Sequence, residues 1–235
     1  MAYTIGRIIK DVEICMDEIA PNDAELDIEQ DDSERKTIIR SKIREAMRFV
    51  YANADMNMLE PDEVITNSSD YSLITGVKGQ RIITLPDNYL RLVYAKYPSW
   101  SRYVGQEDVI LWNDKEYSRL GDAYAGASKE RPEVAQAWNG KKKTLELYPD
   151  VPTESPSVGI MLDPDDVSND TEYTDEVTMS IPHKCYRAVI YYIAGLVYVT
   201  YADQTRSAMM FETANDIIGF TQQAAQQAAQ KVTSD

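Results

Sequence analysis

Residues 188–202, AVIYYIAGLVYVTYA, form the longest apolar run in the chain and constrain its fold more than any other segment. The run falls short of the ~20 apolar residues that a membrane-spanning helix needs, and it carries Tyr191, Tyr192, Tyr198 and Tyr201. A helix that is apolar on nearly every side is buried among several partners. The rest of the chain must therefore supply those partners. Ile181-Pro182 marks the entry to this helix, since proline is tolerated in a first helical turn. Asp203-Gln204-Thr205 makes a break or bend, and a last helix follows with Met209, Met210, Phe211, Ala214, Ile217 and Ile218 as its apolar stripe. Beyond it the repeat QQAAQQAAQ has strong helix propensity and little to anchor it, so it reads as a slender helical tail.

The N-terminal segment supplies two more amphipathic helices. Ile5, Ile8, Ile9, Val12, Met16 and Ile19 recur at helical spacing over residues 3–20, and Pro21 ends the pattern. Residues 21–34 are an acidic connection. Ser33 is placed to cap a second helix, with Lys36 standing where a capping box would want Glu. That helix is expected to run to about residue 56, with Ile39, Ile43, Met47, Val50 and Ala54 on one face. Arg35, Arg40, Lys42, Arg44 and Arg48 populate its other faces.

Between residues 69 and 177 the pattern changes to short strands divided by turn chemistry. Residues 71–75 and 81–85 flank Gly76-Val77-Lys78-Gly79 as a hairpin. Residues 90–97 read as a strand with Leu90, Leu92, Tyr94 and Lys96 on one side. Residues 98–140 hold scattered aromatic residues with low periodicity, residues 143–148 and 157–162 read as strands, and residues 163–175 form an acidic loop. The expected fold class is α+β: a helical bundle formed by the N- and C-terminal segments, with a β-rich domain inserted between them. Its bounds are N-terminal helices at 1–62, the inserted domain at 63–178 and C-terminal helices at 179–235.

The residues nominate no catalytic apparatus. His183 is the one histidine, and no GxSxG elbow presents a serine to it. Asp163-Pro164-Asp165-Asp166-Val167 begins like a calcium loop, but Val167 and Ser168 occupy positions that need an oxygen ligand and a glycine. Residues 27–32 fail at the same glycine, and both read as solvated acidic loops. Gly76-Val77-Lys78-Gly79 matches no phosphate-binding loop. Cys15 and Cys185 lack metal spacing and read as buried free thiols. The chain is thus expected to be no enzyme, with no catalytic residue, no cofactor and no metal site. Acidic residues outnumber basic ones 39 to 24, a net charge of −15, which disfavours a sequence-specific reader of nucleic acid. Lys141-Lys142-Lys143 is the one basic cluster. The first residues, Met1-Ala2-Tyr3-Thr4, show neither the basic nor the apolar region of a secretory signal.

Three stretches resemble the tail adaptor or head-to-tail connector proteins of short-tailed phages, including the ring proteins beneath the portal in crAss-like phages. They are Ile43-Arg44-Glu45-Ala46-Met47-Arg48-Phe49-Val50-Tyr51, Ile83-Thr84-Leu85-Pro86-Asp87-Asn88-Tyr89-Leu90-Arg91-Leu92, and the segment from Arg131-Pro132-Glu133 to Leu145-Glu146-Leu147-Tyr148-Pro149 with Val158-Gly159-Ile160-Met161-Leu162 after it. The resemblance spans most of residues 35–220. It implies a structural virion protein that assembles with itself as a ring, a dodecamer in most of that family. The ring would dock on the portal protein and bridge to tail or further ring proteins. Genomic DNA would pass through its lumen without sequence-specific binding. The protein would be made in the host cytoplasm, act in the virion and have no membrane partner. In that reading Gln222, Gln223, Gln226, Gln227, Gln230 and Lys231 form the interface with a neighbouring subunit or the portal.

Two other readings fit the same profile. One is another virion subunit, for head completion or the tail. The other is a soluble ligand-binding module whose platform is Trp100, Trp112 and Trp138 of the aromatic middle segment.

Overall fold

A computed structural model describes residues 2–19, 32–67, 71–76, 79–122, 126–169 and 173–219. In chain order the first elements are β1 (Ala2–Thr4), α1 (Ile5–Ile19), α2 (Asp32–Asn53), β2 (Glu63–Ile65), β3 (Leu73–Thr75), β4 (Arg81–Thr84) and β5 (Tyr89–Lys96). There follow β6 (Val109–Leu111), β7 (Glu133–Asn139), β8 (Lys142–Tyr148), β9 (Ser157–Leu162), β10 (Thr178–Ser180), α3 (Tyr186–Thr200) and α4 (Gln204–Ile218). The chain is α+β. It divides into two compact units, one drawn from residues up to Leu59 and from Pro164 onward, the other from Glu60–Asp163.

In the first unit the apolar run becomes α3. Ala188, Val189, Ile193, Ala194, Gly195 and Val197 are fully buried on it, while Val199 near its end is 56% exposed. α1 turns Ile5, Ile8, Ile9, Val12 and Met16 inward, and α2 turns in Ile39, Ile43, Met47, Val50 and Tyr51. Polar contacts link these faces: Tyr198 Oη donates to the Met16 carbonyl at 3.1 Å, and Cys15 Sγ lies 4.0 Å from Met210 Sδ. Both cysteines are buried thiols. Phe49 stacks on Tyr192 with centroids 4.2 Å apart, and Phe211 packs against Tyr192 at a tilt, 4.8 Å away. Gly195 is what lets Phe211 approach α3, because a Cβ there would meet the ring at 2.6 Å. Asp203 caps α4 by accepting the Arg206 N–H at 3.0 Å, and Gly219, at φ 72°, closes it in the left-handed region. The sequence break at 203–205 is this cap.

Three helix boundaries differ from the sequence reading. Tyr3 and Thr4 belong to β1, not to the first helix: β1 pairs antiparallel with β10, Tyr3 opposite Met179. α2 starts by Asp32, so Ser33 stands inside its first turn rather than capping it, and the helix stops at Asn53. A short 3₁₀ turn at Met56–Met58 follows, with the Asp55 carboxylate accepting the Asn57 N–H at 2.8 Å.

The second unit holds a three-stranded sheet, β2-β9-β5, and a five-stranded one, β3-β4-β8-β7-β6, in which only β6 pairs in parallel. Ile65, Leu92, Val158 and Ile160 from the first sheet and Ile83, Val134, Leu145 and Leu147 from the second form one core. β8 lies between β4 and β7 and is buried on both faces from Thr144 to Tyr148. The expected side of the strand at 90–97 is corrected. Register shifts at Tyr89/Arg91 and Leu92/Tyr94 break the alternation, so Tyr89, Arg91, Leu92, Val93 and Ala95 are the buried residues. Gly159 sits opposite the second shift, where a Cβ would meet the Tyr94 ring at 2.6 Å. Residues 98–140, read as aperiodic, contain β6 and the seven-residue strand β7.

Candidate functional site

Arg40, Arg44 and Arg48 follow one another at four-residue spacing on α2, which stacks them along one side of the helix. The Arg40 side chain is 8% exposed, and its guanidinium donates to the Tyr173 carbonyl and to Asp175 Oδ1. Arg44 and Arg48, with Ser41, Glu45 and Asp166, line an open cavity of about 300 Å³. The Asp166 carboxyl is held below its ordinary pKa by the Ser168 N–H it accepts, by the Ser168 hydroxyl and by the Arg44 charge. Asp165 and Asp166 are exposed, as the loop reading expects, while Asp175 is tied to Arg40. The acidic segment is thus pinned by α2 rather than only solvated.

α1, β1 and the start of α3 gather a second polar group. Tyr3 stacks on Tyr186, centroids 3.8 Å apart, and its hydroxyl lies 3.0 Å from His183 Nδ1. Tyr186 Oη donates to Asp11 Oδ2 at 2.6 Å, and burial first, then that bond, pushes the phenol's pKa up. Asp11, Ile14, Ile190 and Tyr191 line an adjoining cavity of about 200 Å³.

In the second unit, the buried Glu146 carboxylate on β8 accepts hydrogen bonds from Tyr148 Oη at 2.7 Å and Tyr117 Oη at 3.0 Å. Burial, followed by the bond to Glu146, pushes the Tyr117 phenol up to about 12 and moves Tyr148 in the same direction. A cavity of about 330 Å³ nearby is lined by Glu116, Arg119, Arg131 and Glu133, with Arg131 Nε 3.2 Å from Glu133 Oε1. Asp150, its side chain 3% exposed, accepts from Tyr97 Oη at 2.9 Å, Arg81 Nε at 3.0 Å and Thr75 Oγ1 at 3.1 Å. Both buried carboxylates accept more than one hydrogen bond, Glu146 through Oε2 and Asp150 through both oxygens. Such bonding holds strands in place, since a buried charge is tolerated only when paired.

The tip of the β7–β8 hairpin has a different character. Gly140, at φ 64°, makes the turn, and Asn139 pairs with Lys142. Trp138, Lys141 and Lys142 are exposed, Trp138 by 52%. Lys143 Nζ lies 5.8 Å from the ring centroids of both Trp138 and Tyr89. Trp138 and Trp112 are exposed, but Trp100 is 2% exposed in the core against Tyr97, so the three tryptophans form no common platform.

Gln222, Gln223, Gln226, Gln227, Gln230 and Lys231 lie outside the described residues, as do Val77 and Lys78 of the glycine turn. Gly76 N donates to Gln80 O at 2.8 Å, closing that turn. Among the described residues no group of three or more His, Cys, Asp and Glu is placed to hold a metal ion, and no helix is long and apolar enough to cross a membrane. Sequence reasoning missed Arg40, Glu146 and Asp150 as organising residues. The four-residue spacing of Arg40, Arg44 and Arg48 was the available signal for the first. Glu146, set between Leu145 and Leu147 and followed by Tyr148, was the signal for the second. No known protein family's model matches the chain, and no curated protein sequence matches it.

Proposed function

We propose that this chain is a structural, non-enzymatic virion subunit that forms a ring in the head-to-tail connector of a short-tailed phage. In this reading the terminal segments form a helical bundle, the β-rich segment is inserted between them, and genomic DNA passes through the lumen. The ring docks on the portal protein and hands on to tail or further ring proteins. The observation that carries the reading is the packing of the N-terminal segment against residues 178–210. Tyr3 on β1 pairs with Met179 on β10, Met16 accepts from Tyr198, and Cys15 touches Met210. An element order with helices on either side and nine strands, β2 to β10, between them among the described residues fits the resemblance that the quoted stretches carry. These stretches fall on α2, on β4–β5 and on β7–β9. The net charge of −15 supports a lumen past which DNA slides without adhering.

Native mass spectrometry of the full chain, alone and mixed with the portal protein of the same genome, tests the reading. A complex with about one copy per portal subunit is the expected outcome, and a monomer in both samples overturns it. Removing residues 221–235 tests the assigned interface at Gln222–Lys231. Docking is expected to weaken while the circular dichroism of the remainder stays nearly unchanged, and unaltered docking refutes that assignment.

A further inference from the structure

We propose that the tip of the β7–β8 hairpin is a docking knob that seats on an acidic surface of a second copy of this chain. The inference rests on the reading that copies associate, and it names the surface that joins them. The geometry begins with register. Leu111 is opposite Gln136 on β7, and Trp138 lies two residues further along the same strand, so Leu111 and Trp138 share a sheet face. That is the core-facing side: Gln136 pairs with Leu145, which is fully buried. At this end the face runs past its cover, leaving Leu111 43% and Trp138 52% exposed. Lys143, opposite Trp138, places its ammonium over the indole, and Lys141 and Lys142 extend the charge beyond it. The turn is two residues of the tightest kind, so the knob is presented by a rigid pair of strands and costs little ordering on contact.

Charge decides the occupant. Three consecutive lysines stand on a chain of net charge −15, so a second copy presents a complementary acidic field to this run of lysines. Contact between unlike surfaces of identical chains is heterologous, and such contacts close rings when repeated about an axis. A phosphate backbone would also attract three lysines, but it would meet the repulsion of the remaining acidic surface. Tryptophan is also among the residues enriched where a few side chains dominate a protein interface.

The test is sedimentation velocity on the full chain at increasing concentration and ionic strength, with K141E/K142E and W138A beside the unaltered protein. The lysines are exposed at a turn, so the first variant keeps its fold even if the second loses some stability, and circular dichroism checks both. The unaltered chain is expected to self-associate, less so as salt screens the contact. Each variant is expected to associate at least about tenfold more weakly. Variants that assemble like the unaltered chain overturn the proposal, as does an unaltered chain that stays monomeric throughout. So does a K141E/K142E effect confined to binding of a double-stranded DNA probe, which would assign the lysines to nucleic acid. Mixing with portal protein separates the two readings. Self-association lost in the variants, without portal binding by the unaltered chain, sinks the connector and keeps the knob. Portal-bound rings formed equally by the variants do the reverse.

Discussion

Single residues set how closely the helices of the first unit approach. At Gly195 two effects compete. Alanine would gain about 1 kcal/mol of helix propensity, but its Cβ would sit 2.6 Å from the Phe211 ring, which is itself packed on Tyr192. To admit the methyl the ring must give up part of its contact with Tyr192, so overpacking wins, and Gly195→Ala is expected to destabilise the chain by about 1–3 kcal/mol in chemical denaturation. A stability equal to or above that of the unaltered chain would show that Phe211 moves freely. Glu146 offers a test by pH. Tyr117, pushed up to about 12, and Tyr148, raised in the same direction, hold their protons more tightly folded than unfolded. Their contribution is complete below the ordinary phenol pKa of about 10 and is lost as pH rises through the folded value. Stability is therefore expected to fall above about pH 10. Glu146→Gln removes the charge that adds to the shift and should flatten that decline in melts across a pH series. An unchanged slope would remove the Glu146 contribution. None of this was legible from residue type alone: a Glu in a strand reads as solvent-facing until the strand is known to be central.

Elements were legible where their pattern was long. The inward face of α2, Ile39 through Val50, follows from spacing alone, because a 22-residue helix repeats its signal several times. β9 carries a dense apolar run, and β8 shows its apolar residues in alternation at Leu145 and Leu147. β7 was hidden because its buried residues are Val134, Ala135 and Ala137, small side chains on both faces of a half-covered strand. β1 and β10 are three residues each and acquire meaning only as a pair from opposite ends of the chain, which no local window contains. The segment after β9 was read as a loop from its acidity, and its anchor, Arg40, belongs to another element. Arg40→Ala should therefore free residues 173–177 from α2, leaving the Tyr173 carbonyl and the Asp175 carboxylate without this donor. The expected cost is about 1–3 kcal/mol, read most directly as faster limited proteolysis within 164–177. A cleavage rate equal to that of the unaltered chain would mean that other contacts hold the segment.

At the scale of the molecule, the division of the chain makes a demand that can be checked by cutting it. Every residue of the core shared by the two sheets, from Ile65 to Ile160, falls within Glu60–Asp163, and so does the smaller cluster of Ile110, Leu120, Ala135 and Tyr148. The buried Glu146 and Asp150 networks draw their partners from the same bounds. A segment of about 100 residues with its own core is large enough to fold alone. Expressed by itself, the 60–163 segment is expected to unfold cooperatively in urea and to keep the blue-shifted emission of Trp100, which is 2% exposed beside Tyr97. The inserted domain was expected to span 63–178, whereas the compact β unit covers Glu60–Asp163. Asp163 N donates to the Asn88 carbonyl at 2.7 Å within the β unit, whereas Tyr173 and Asp175 answer to Arg40 on α2. Extending the fragment to 178 should therefore add no stability in the same denaturation curve, because the added residues leave their arginine behind. A marked gain from that extension, or a non-cooperative melt of the shorter fragment, would show that the β unit needs more of the chain than its core contains.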